Sequence, residues 1–252
     1  PNMIRIFSDS TCDLSKELIE RYDITILPLH ILLGEEEFLD GVDITPDEIY
    51  KWSDEHKTTP KTSAVSIEDV MKAAGPYLDQ GDEIISFSIS DDMSTSGNVM
   101  HMAAAELEAE DRFHVINSAN LSTGIGLLVI EAAIMAKEGK TSEEIITKIE
   151  ELKPLVRASF VVDTLTYLYR GGRCSGLAAL AGGALKLHPQ IIVVDGAMKP
   201  AKKYRGNMLH VTLDYVKDME KAMLNSHKDR VFITHSGSDP KVVQEVYDYL
   251  EG

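Results

Sequence analysis

Two short segments rich in hydroxyl side chains, Lys61-Thr62-Ser63 and Ser94-Thr95-Ser96-Gly97, carry the clearest chemical signal in this chain. We predict that each lies in a loop or turn at the edge of an α/β segment. Free backbone N–H groups and oriented hydroxyls at such places bind anions. Neither segment brings the base that a serine or threonine nucleophile needs. The pattern therefore favours a protein that holds a carboxylate over an enzyme that transforms one.

The catalytic alternatives have weaker signals. No Gly-x-Ser-x-Gly elbow occurs, and the Ser175 region, residues 172–176, has the wrong spacing for one. Gly124-Ile125-Gly126 lacks the third glycine of a dinucleotide-binding loop and falls in a predicted helix, where close packing explains it better. The acidic residues are scattered along the chain rather than grouped, so the sequence does not predict a metal site. A small-molecule phosphotransferase or hydrolase with Asp9 or Asp163 as its base stays the alternative of another class.

Composition limits the remaining choices. A chain of 252 residues with 44% hydrophobic residues can bury a large core in one or two domains. Its net charge of −16 argues against nucleic acid and against an anionic membrane surface as partners. Cys12 and Cys174 suggest reduced thiols rather than a disulfide framework or a zinc site. With neither a signal-peptide pattern before the first strand nor an apolar run long enough to span a bilayer, we expect a cytoplasmic protein.

Strand and helix patterns alternate through the first 160 residues, which predicts a mostly parallel sheet with helices on both faces. Capping boxes at Thr45 and Thr141 are the strongest helix starts, and Ser66 is a weaker one. The predicted strands are residues 3–8, 24–33, 83–88 and 113–117. One predicted helix begins near Asp13, and three more begin at the caps just named. Two further helices are predicted over residues 95–110 and 123–138.

The pattern changes near Pro154. There we predict a strand over 157–163, a helix over 175–187, and a hairpin of residues 190–194 and 198–204 closed by Asp195-Gly196. A helix over 208–226, a strand over 231–234 and a helix over 240–250 follow. We therefore predict an N-terminal α/β domain over residues 1–156, with a small subdomain near residues 30–62, and a C-terminal α+β domain over 157–252.

Basic residues concentrate in one part of this acidic chain. Residues 170–205 hold seven Lys or Arg and one acid, Asp195, whereas the whole chain has 25 basic and 41 acidic residues. Such a cationic region indicates an anionic ligand or an acidic partner. A solvated hairpin edge protected by lysines is the alternative interpretation.

Five segments, in order along the chain, resemble the DegV family of bacterial fatty-acid-binding proteins. The closest is the run from Asp163 to Arg173, which is very similar to the family's Asp-Thr-Leu-x-Tyr-Leu-x-x-Gly-Gly-Arg motif. The other four resemble its opening strand and turn, its Thr-Ser-Gln-Pro loop, its Ile-Ser-Ser-x-x-Ser-Gly-Thr segment, and its Asp-Ser stretch with the glycine-bearing helix that follows. In this chain they are residues 6–11, Lys61-Thr62-Ser63, residues 89–94, and Asn117-Ser118 with residues 124–127.

This resemblance implies a two-domain α/β protein that holds one long-chain fatty acid in an apolar tunnel between its domains, with no other cofactor. It implies that the protein is monomeric when free and has no catalytic residues of its own. In bacteria with a fatty acid kinase, such proteins present the carboxylate to an ATP-using kinase subunit, which makes an acyl phosphate. A stand-alone lipid sensor would have the same sequence features.

The resemblance also implies roles for individual residues. Thr62 and Ser94 occupy the positions of the carboxylate-binding hydroxyls, while Ser63, Arg173 and Arg205 are supporting or partner-facing candidates. The alternative role for Thr62 and Ser94 is simply to cap turns. Ala64-Val65 stands where the family has Gln-Pro, and Thr95 replaces a glycine after Ser94, so we expect the backbone to differ at both loops.

Overall fold

The computed structural model of the protein describes residues 2–163 and 187–222, together with Gln244 and Asp248. The chain divides into two compact units, Pro1–Arg157 and Ala158–Gly252. The strands of the first unit are Ile4–Asp9 (β1), Ile24–Leu27 (β2), His30–Leu33 (β3), Glu36–Leu39 (β4), Lys61–Ser63 (β5), Glu83–Ser88 (β6) and Phe113–Asn117 (β7). Its helices are Lys16–Arg21 (α1), Pro46–His56 (α2), Ile67–Asp79 (α3), Ser96–Glu106 (α4), Thr123–Lys137 (α5) and Ser142–Leu152 (α6).

A four-stranded parallel sheet in the order β2-β1-β6-β7 forms the centre of the first unit. The chain runs outward from β1 to β2 and then returns to β6 on the opposite side of β1. The strand order therefore reverses between β1 and β6, and the carboxyl edge at such a reversal is the place where open α/β sheets commonly bind ligands. The predicted fold class, a parallel sheet flanked by helices with further antiparallel strands, is confirmed.

Both faces of this sheet are buried, because successive strand residues point to opposite sides. Ile6 belongs to a core cluster that includes Phe87 and Ile125, whereas the adjacent Phe7 packs in a second cluster with Val70 and Met100. The first cluster lies beneath α5 and α6, and the second beneath α3 and α4. The two layers of helices hold the sheet rigidly from either side.

Local signals set several boundaries correctly. The capping boxes at Thr45 and Thr141 are both present, and each threonine hydroxyl accepts a hydrogen bond from the N–H three residues later. Ser66 caps α3 in the same way. The predicted strands 83–88 and 113–117 are confirmed residue for residue, because apolar runs bounded by polar turns define buried parallel strands.

Two predictions for residues 13–33 were wrong. The first helix begins at Lys16 with Ser15 as its cap, because Asp13 ends a short 3₁₀ turn with φ of 50°. The apolar run 24–33 is not one strand but two, β2 and β3, which belong to different sheets. The break falls at Pro28, which has no N–H to continue a hydrogen-bonded ladder.

A small antiparallel sheet in the order β4-β3-β5 follows this break. It packs with α2 around Ile31, Leu33 and Ile44, against which Trp52 and Phe38 are half-buried. After β5, the strand that contains Thr62, the chain continues into α3 on the parallel sheet.

The second unit contains Ser159–Val161 (β8), Leu187–Val194 (β9), Ala197–Arg205 (β10) and Met208–Ala222 (α7), with the antiparallel order β10-β9-β8. The predicted hairpin is confirmed, with longer strands than expected. Asp195 and Gly196 both have positive φ, 51° and 82°, as a tight hairpin turn requires. The predicted strand 157–163 is shorter in the structure. The predicted helix 175–187 lies outside the described residues except for Leu187, which begins β9. The predicted strand 231–234 and most of the predicted helix 240–250 also lie outside them.

None of the helices within the described part of the chain combines the length and apolar character needed to cross a membrane.

Close packing explains the glycines at the start of α5. A Cβ added to Gly126 would lie 3.0 Å from the carbonyl oxygen of Cys12 and 2.9 Å from a methyl carbon of Leu14. The backbone of the turn after β1 therefore approaches the helix so closely that a Cβ at this position would be in unusually tight contact. This supports the packing interpretation of Gly124-Ile125-Gly126 over the nucleotide-binding one.

We expect Gly126→Ala to lower the free energy of unfolding by about 1–3 kcal/mol, because the backbone must shift to accept the methyl group. Gly75→Ala in α3 is the control, since a Cβ there meets no heavy atom of the described residues within 4 Å beyond its chain neighbours and its own helix backbone. Its unfolding free energy should change by less than about 1 kcal/mol, because the gain in helix propensity is opposed by contact of the new Cβ with the ring of Pro76. Urea denaturation measures both, and equal effects would contradict the packing explanation.

Candidate functional site

Polar groups gather where β1 and β6 end. The last residue of β1 is Asp9, whose side chain is fully buried. Its Oδ2 accepts a hydrogen bond from the backbone N–H of Ile89, just beyond β6, at 2.6 Å. Its Oδ1 accepts from the N–H of Thr11 at 2.9 Å and from the Thr11 hydroxyl at 2.5 Å. The carboxyl group thus joins the ends of both central strands.

The electrostatics of this edge are acidic. Burial is the main cause that raises the pKa of Asp9 above its ordinary value, opposed by the bonds from Thr11 and Ile89, and the neighbouring Asp40 raises it further. Asp13, which is exposed, accepts a hydrogen bond from the hydroxyl of Ser122 at 2.7 Å. Among the described residues, these acids form no group arranged to hold a metal ion.

The segment after β6, residues 89–96, is tied to the end of β7. The N–H of Ser90 donates to the carbonyl of Asn120 at 2.9 Å, and the N–H of Asp91 donates to the side-chain oxygen of Asn117 at 3.2 Å. Within the segment, the N–H groups of Met93 and Ser94 both donate to the carbonyl of Ser90. These bonds make it a compact turn that ends at the start of α4.

Ser94 lies in this turn with a half-buried side chain. Its hydroxyl oxygen accepts from the N–H of Ser96 at 3.2 Å and lies 3.1 Å from the Ser96 hydroxyl. The Ser96 hydroxyl in turn accepts from the N–H of Val65 at 3.4 Å. Val65 comes two residues after β5, so this chain of bonds connects the two hydroxyl-rich segments that the sequence singled out.

Thr62 lies in a strand, so the prediction of a loop or turn there was wrong. It is the central residue of β5, where it pairs with Ile31 of β3, and its side chain is exposed. A three-residue strand leaves little apolar periodicity to detect, which is why its sequence resembles a loop. The sheet is anchored beside it by His30, whose ring nitrogens lie 2.6 Å from a Glu37 carboxylate oxygen and 3.2 Å from one of Asp69.

The remaining candidates divide between the units. Ser63 ends β5 and is exposed, whereas Arg205 is exposed at the end of β10 in the second unit. Arg173 lies outside the described residues. Sequence reasoning missed the contributions of Asp9 and Val65, because the Asp9–Ile89 and Val65–Ser96 bonds join residues 80 and 31 positions apart.

A basic groove lies between β10 and α7 in the second unit. Tyr204 and Lys202 both donate to the carboxylate of Asp218, and the lysine in particular holds the pKa of that carboxyl below its usual range. The other lysines and the arginine leave an excess of positive charge. The charged side chains lining the groove are Lys202, Lys203, Arg205, Asp214, Lys217, Asp218 and Lys221.

The two candidate bases lie in different units. Asp9 is fully buried, and both its oxygens accept hydrogen bonds. Asp163 belongs to the second unit, where its side chain is 75% exposed beside His188. The half-buried hydroxyl of Ser94 lies just before α4, and the Asp91 carboxylate lies beside Gly97 in the first turn of that helix.

A family model and a related protein both place the chain in the same family. The sequence model of the DegV family, described as a family of uncharacterised proteins, matches residues 3–252. A DegV domain-containing protein of Clostridium perfringens is 37% identical over 221 residues, which cover 88% of this chain and 76% of that protein.

Solved structures agree along nearly the whole chain. A stearic-acid-binding protein from Eubacterium ventriosum is 31% identical with a TM-score of 0.87, covering 99% of this chain and 88% of its own. A fatty-acid-binding DegV family protein from Thermus thermophilus is 28% identical with a TM-score of 0.85 and the same coverage.

The raised pKa of Asp9 predicts how stability changes with pH. Because the group ionises less readily in the folded protein than in the unfolded chain, its contribution to stability is greatest below the ordinary value of 3.8 and is lost as pH rises through the folded pKa. Asp9→Asn cannot ionise. We therefore expect the unfolding free energy of wild type minus that of Asp9→Asn to fall with rising pH and then level off, as measured by urea denaturation. A difference that rises with pH would contradict the direction of the shift.

Proposed function

Because the chain belongs to the DegV family, we propose that it binds one long-chain fatty acid, with the carboxylate held by the hydroxyls of Thr62 and Ser94 and the acyl chain in an apolar slot. The observation that carries this proposal is the Val65–Ser96–Ser94 chain of hydrogen bonds, which connects the two hydroxyl-rich segments. The segment with Ser94 also lies at the carboxyl edge of the parallel sheet, where the strand order reverses. Structural relatives that bind fatty acids support the ligand class.

The energetics assign different tasks to the two ends of the ligand. Burying an aliphatic chain contributes about 0.8 kcal/mol per methylene, so about fourteen methylenes give roughly 11 kcal/mol before the costs of association. A hydrogen bond from a neutral hydroxyl to a carboxylate contributes about 1.5–3 kcal/mol. The tail therefore sets the affinity, and the hydroxyls set where the head group lies.

We expect Thr62→Ala and Ser94→Ala each to weaken stearic acid binding by roughly 10–100-fold, because each removes one hydrogen bond to a charged group. The affinity for octadecan-1-ol, which has the same tail and no carboxylate, should change much less. Fluorescence displacement or calorimetry measures both ligands. Mass spectrometry of an organic extract of the purified protein identifies the natural chain.

Two results would contradict this assignment. One is a wild-type protein with no preference for the acid over the alcohol, and the other is a pair of variants that bind the acid as tightly as wild type. Ser142→Ala is a suitable control, since Ser142 begins α6 on another part of the unit. It should leave both affinities unchanged.

We further propose that the bound carboxylate is presented to an ATP-using fatty acid kinase subunit, which forms the acyl phosphate. The basic groove between β10 and α7 supports a partner with an acidic surface, because it is a local excess of positive charge on a chain of net charge −16. Arg205 is our candidate for contact with this partner.

Arg205→Glu should lower the rate of acyl phosphate formation by a fatty acid kinase subunit by at least about tenfold, since like charges then meet across the interface. Lys199→Glu is the matched control, because Lys199 is also exposed on β10 but does not line the groove. Fatty acid affinity should be unchanged in both variants.

Equal kinase rates for the two variants would contradict the role of Arg205. Tight fatty acid binding with no stimulation of any kinase subunit would instead favour a stand-alone lipid sensor. Turnover of ATP by the purified protein alone would favour the phosphotransferase alternative.

A further inference from the structure

We propose that Asp9 is a positioning residue for the head-group site: by accepting the hydrogen bond from Ile89 it holds segment 89–96 in the conformation in which Ser94 meets the ligand carboxylate. This inference rests on the proposed function, because it assigns the carboxylate to Ser94. Asp9 itself is fully buried and is not expected to touch the ligand.

The first support is the place where the sheet stops. The paired register of β1 and β6 ends at Ser8 and Phe87, after which the two backbones part. The Oδ2 of Asp9 then takes the N–H of Ile89 at 2.6 Å, so a side chain replaces the backbone acceptor that the ladder no longer supplies. Asp9 thus fixes the first residue of the segment on its β1 side.

The second support is that the segment is anchored on the opposite side by other groups. Asn117 and Asn120, at the end of β7, hold the N–H groups of Asp91 and Ser90. With both sides held, the short turn has a defined position. Loss of the β1-side contact would remove the anchor at the first residue of the segment and leave the β7-side bonds and the Val65–Ser96 bond farther along it.

The third support is a direct connection from this contact to Ser94. Ser90 follows Ile89 immediately, and its carbonyl accepts from the N–H of Met93 at 2.9 Å and from that of Ser94 at 3.2 Å. The Ser94 hydroxyl then accepts from the N–H of Ser96. A displacement at Ile89 therefore moves the hydroxyl through one continuous set of bonds.

The carboxyl group also explains which substitutions should be tolerated. Asp9→Asn can keep its oxygen on the Ile89 amide, and its nitrogen can then donate to the Thr11 hydroxyl, but that nitrogen also faces the Thr11 N–H, which cannot accept, so the replacement preserves only part of the network. Asp9→Ala removes every acceptor. Thr11→Val removes one donor to the carboxyl group and leaves the Ile89 bond in place.

The test is a double-mutant cycle on the preference for stearic acid over octadecan-1-ol. This preference is expressed as the dissociation constant of octadecan-1-ol divided by that of stearic acid. Ser94→Ala should lower this ratio roughly 10–100-fold, and Asp9→Ala should lower it by at least about fivefold. The double variant should be no lower than Ser94→Ala alone, because Asp9 acts through Ser94. Asp9→Asn, which can keep the Ile89 bond, should restore part of the preference relative to Asp9→Ala, and Thr11→Val should leave it unchanged.

An Asp9→Ala effect that adds to that of Ser94→Ala, or one that weakens acid and alcohol equally, would overturn the inference while leaving the proposed function intact. A wild-type ratio near one would overturn the proposed function and this inference with it.

Amide hydrogen exchange in the wild-type protein provides a measurement that does not depend on Asp9→Ala folding. If the Ile89 contact holds the turn, the amides of Ile89 and Ser94 should open together, with protection factors equal within about threefold. A Ser94 amide that exchanges more than about tenfold faster than that of Ile89 would overturn the inference.

Discussion

The structure around the candidate site depends on the hydrogen bond between the buried carboxyl group of Asp9 and the backbone N–H of Ile89. Parallel strands that diverge at a reversal of strand order create a crevice, but they also leave backbone groups without ladder partners. A buried carboxyl group satisfies such donors at the cost of its own desolvation, which is why its pKa is raised. The carboxyl group that accepts a hydrogen bond from this N–H at the end of the sheet thereby also fixes the loop that carries Ser94.

The surrounding fold explains why this arrangement is stable. Ile6 and Phe7 pack in two apolar layers on opposite faces of the sheet, so Asp9 ends a strand that is buried on both faces. Gly126 allows α5 to approach the turn after β1 within contact distance of the Cys12 carbonyl. The polar edge is therefore supported by close packing directly beneath it, and small volume changes there would be transmitted to the loop.

Sequence reasoning predicted what local patterns encode. The caps at Thr45 and Thr141, the buried strands and the Asp195-Gly196 hairpin depend on neighbouring residues, and the structure confirms them. It failed at β5, whose three residues owe their strand conformation to pairing with β3. It also missed the contributions of Asp9 and Val65, because their partners are distant in sequence. The sequence predicts Thr62 and Ser94 from the hydroxyl-rich segments that contain them and from a family resemblance. The hydrogen bonds that connect those segments are visible only in the structure.

Neutral donors are a consistent choice for the proposed ligand. A guanidinium in a bidentate pair with the carboxylate would add affinity, but under the proposed function it would also neutralise the oxygen that attacks a phosphoryl group. Because the acyl chain of the proposed ligand would supply most of the binding free energy, the head-group site would not need a cation. Hydroxyls held in place by backbone bonds, such as that of Ser94, can orient the carboxylate while leaving its charge available. Under the proposed function, the positive charge belongs on the surface that meets the partner, and the basic groove of the second unit satisfies that requirement.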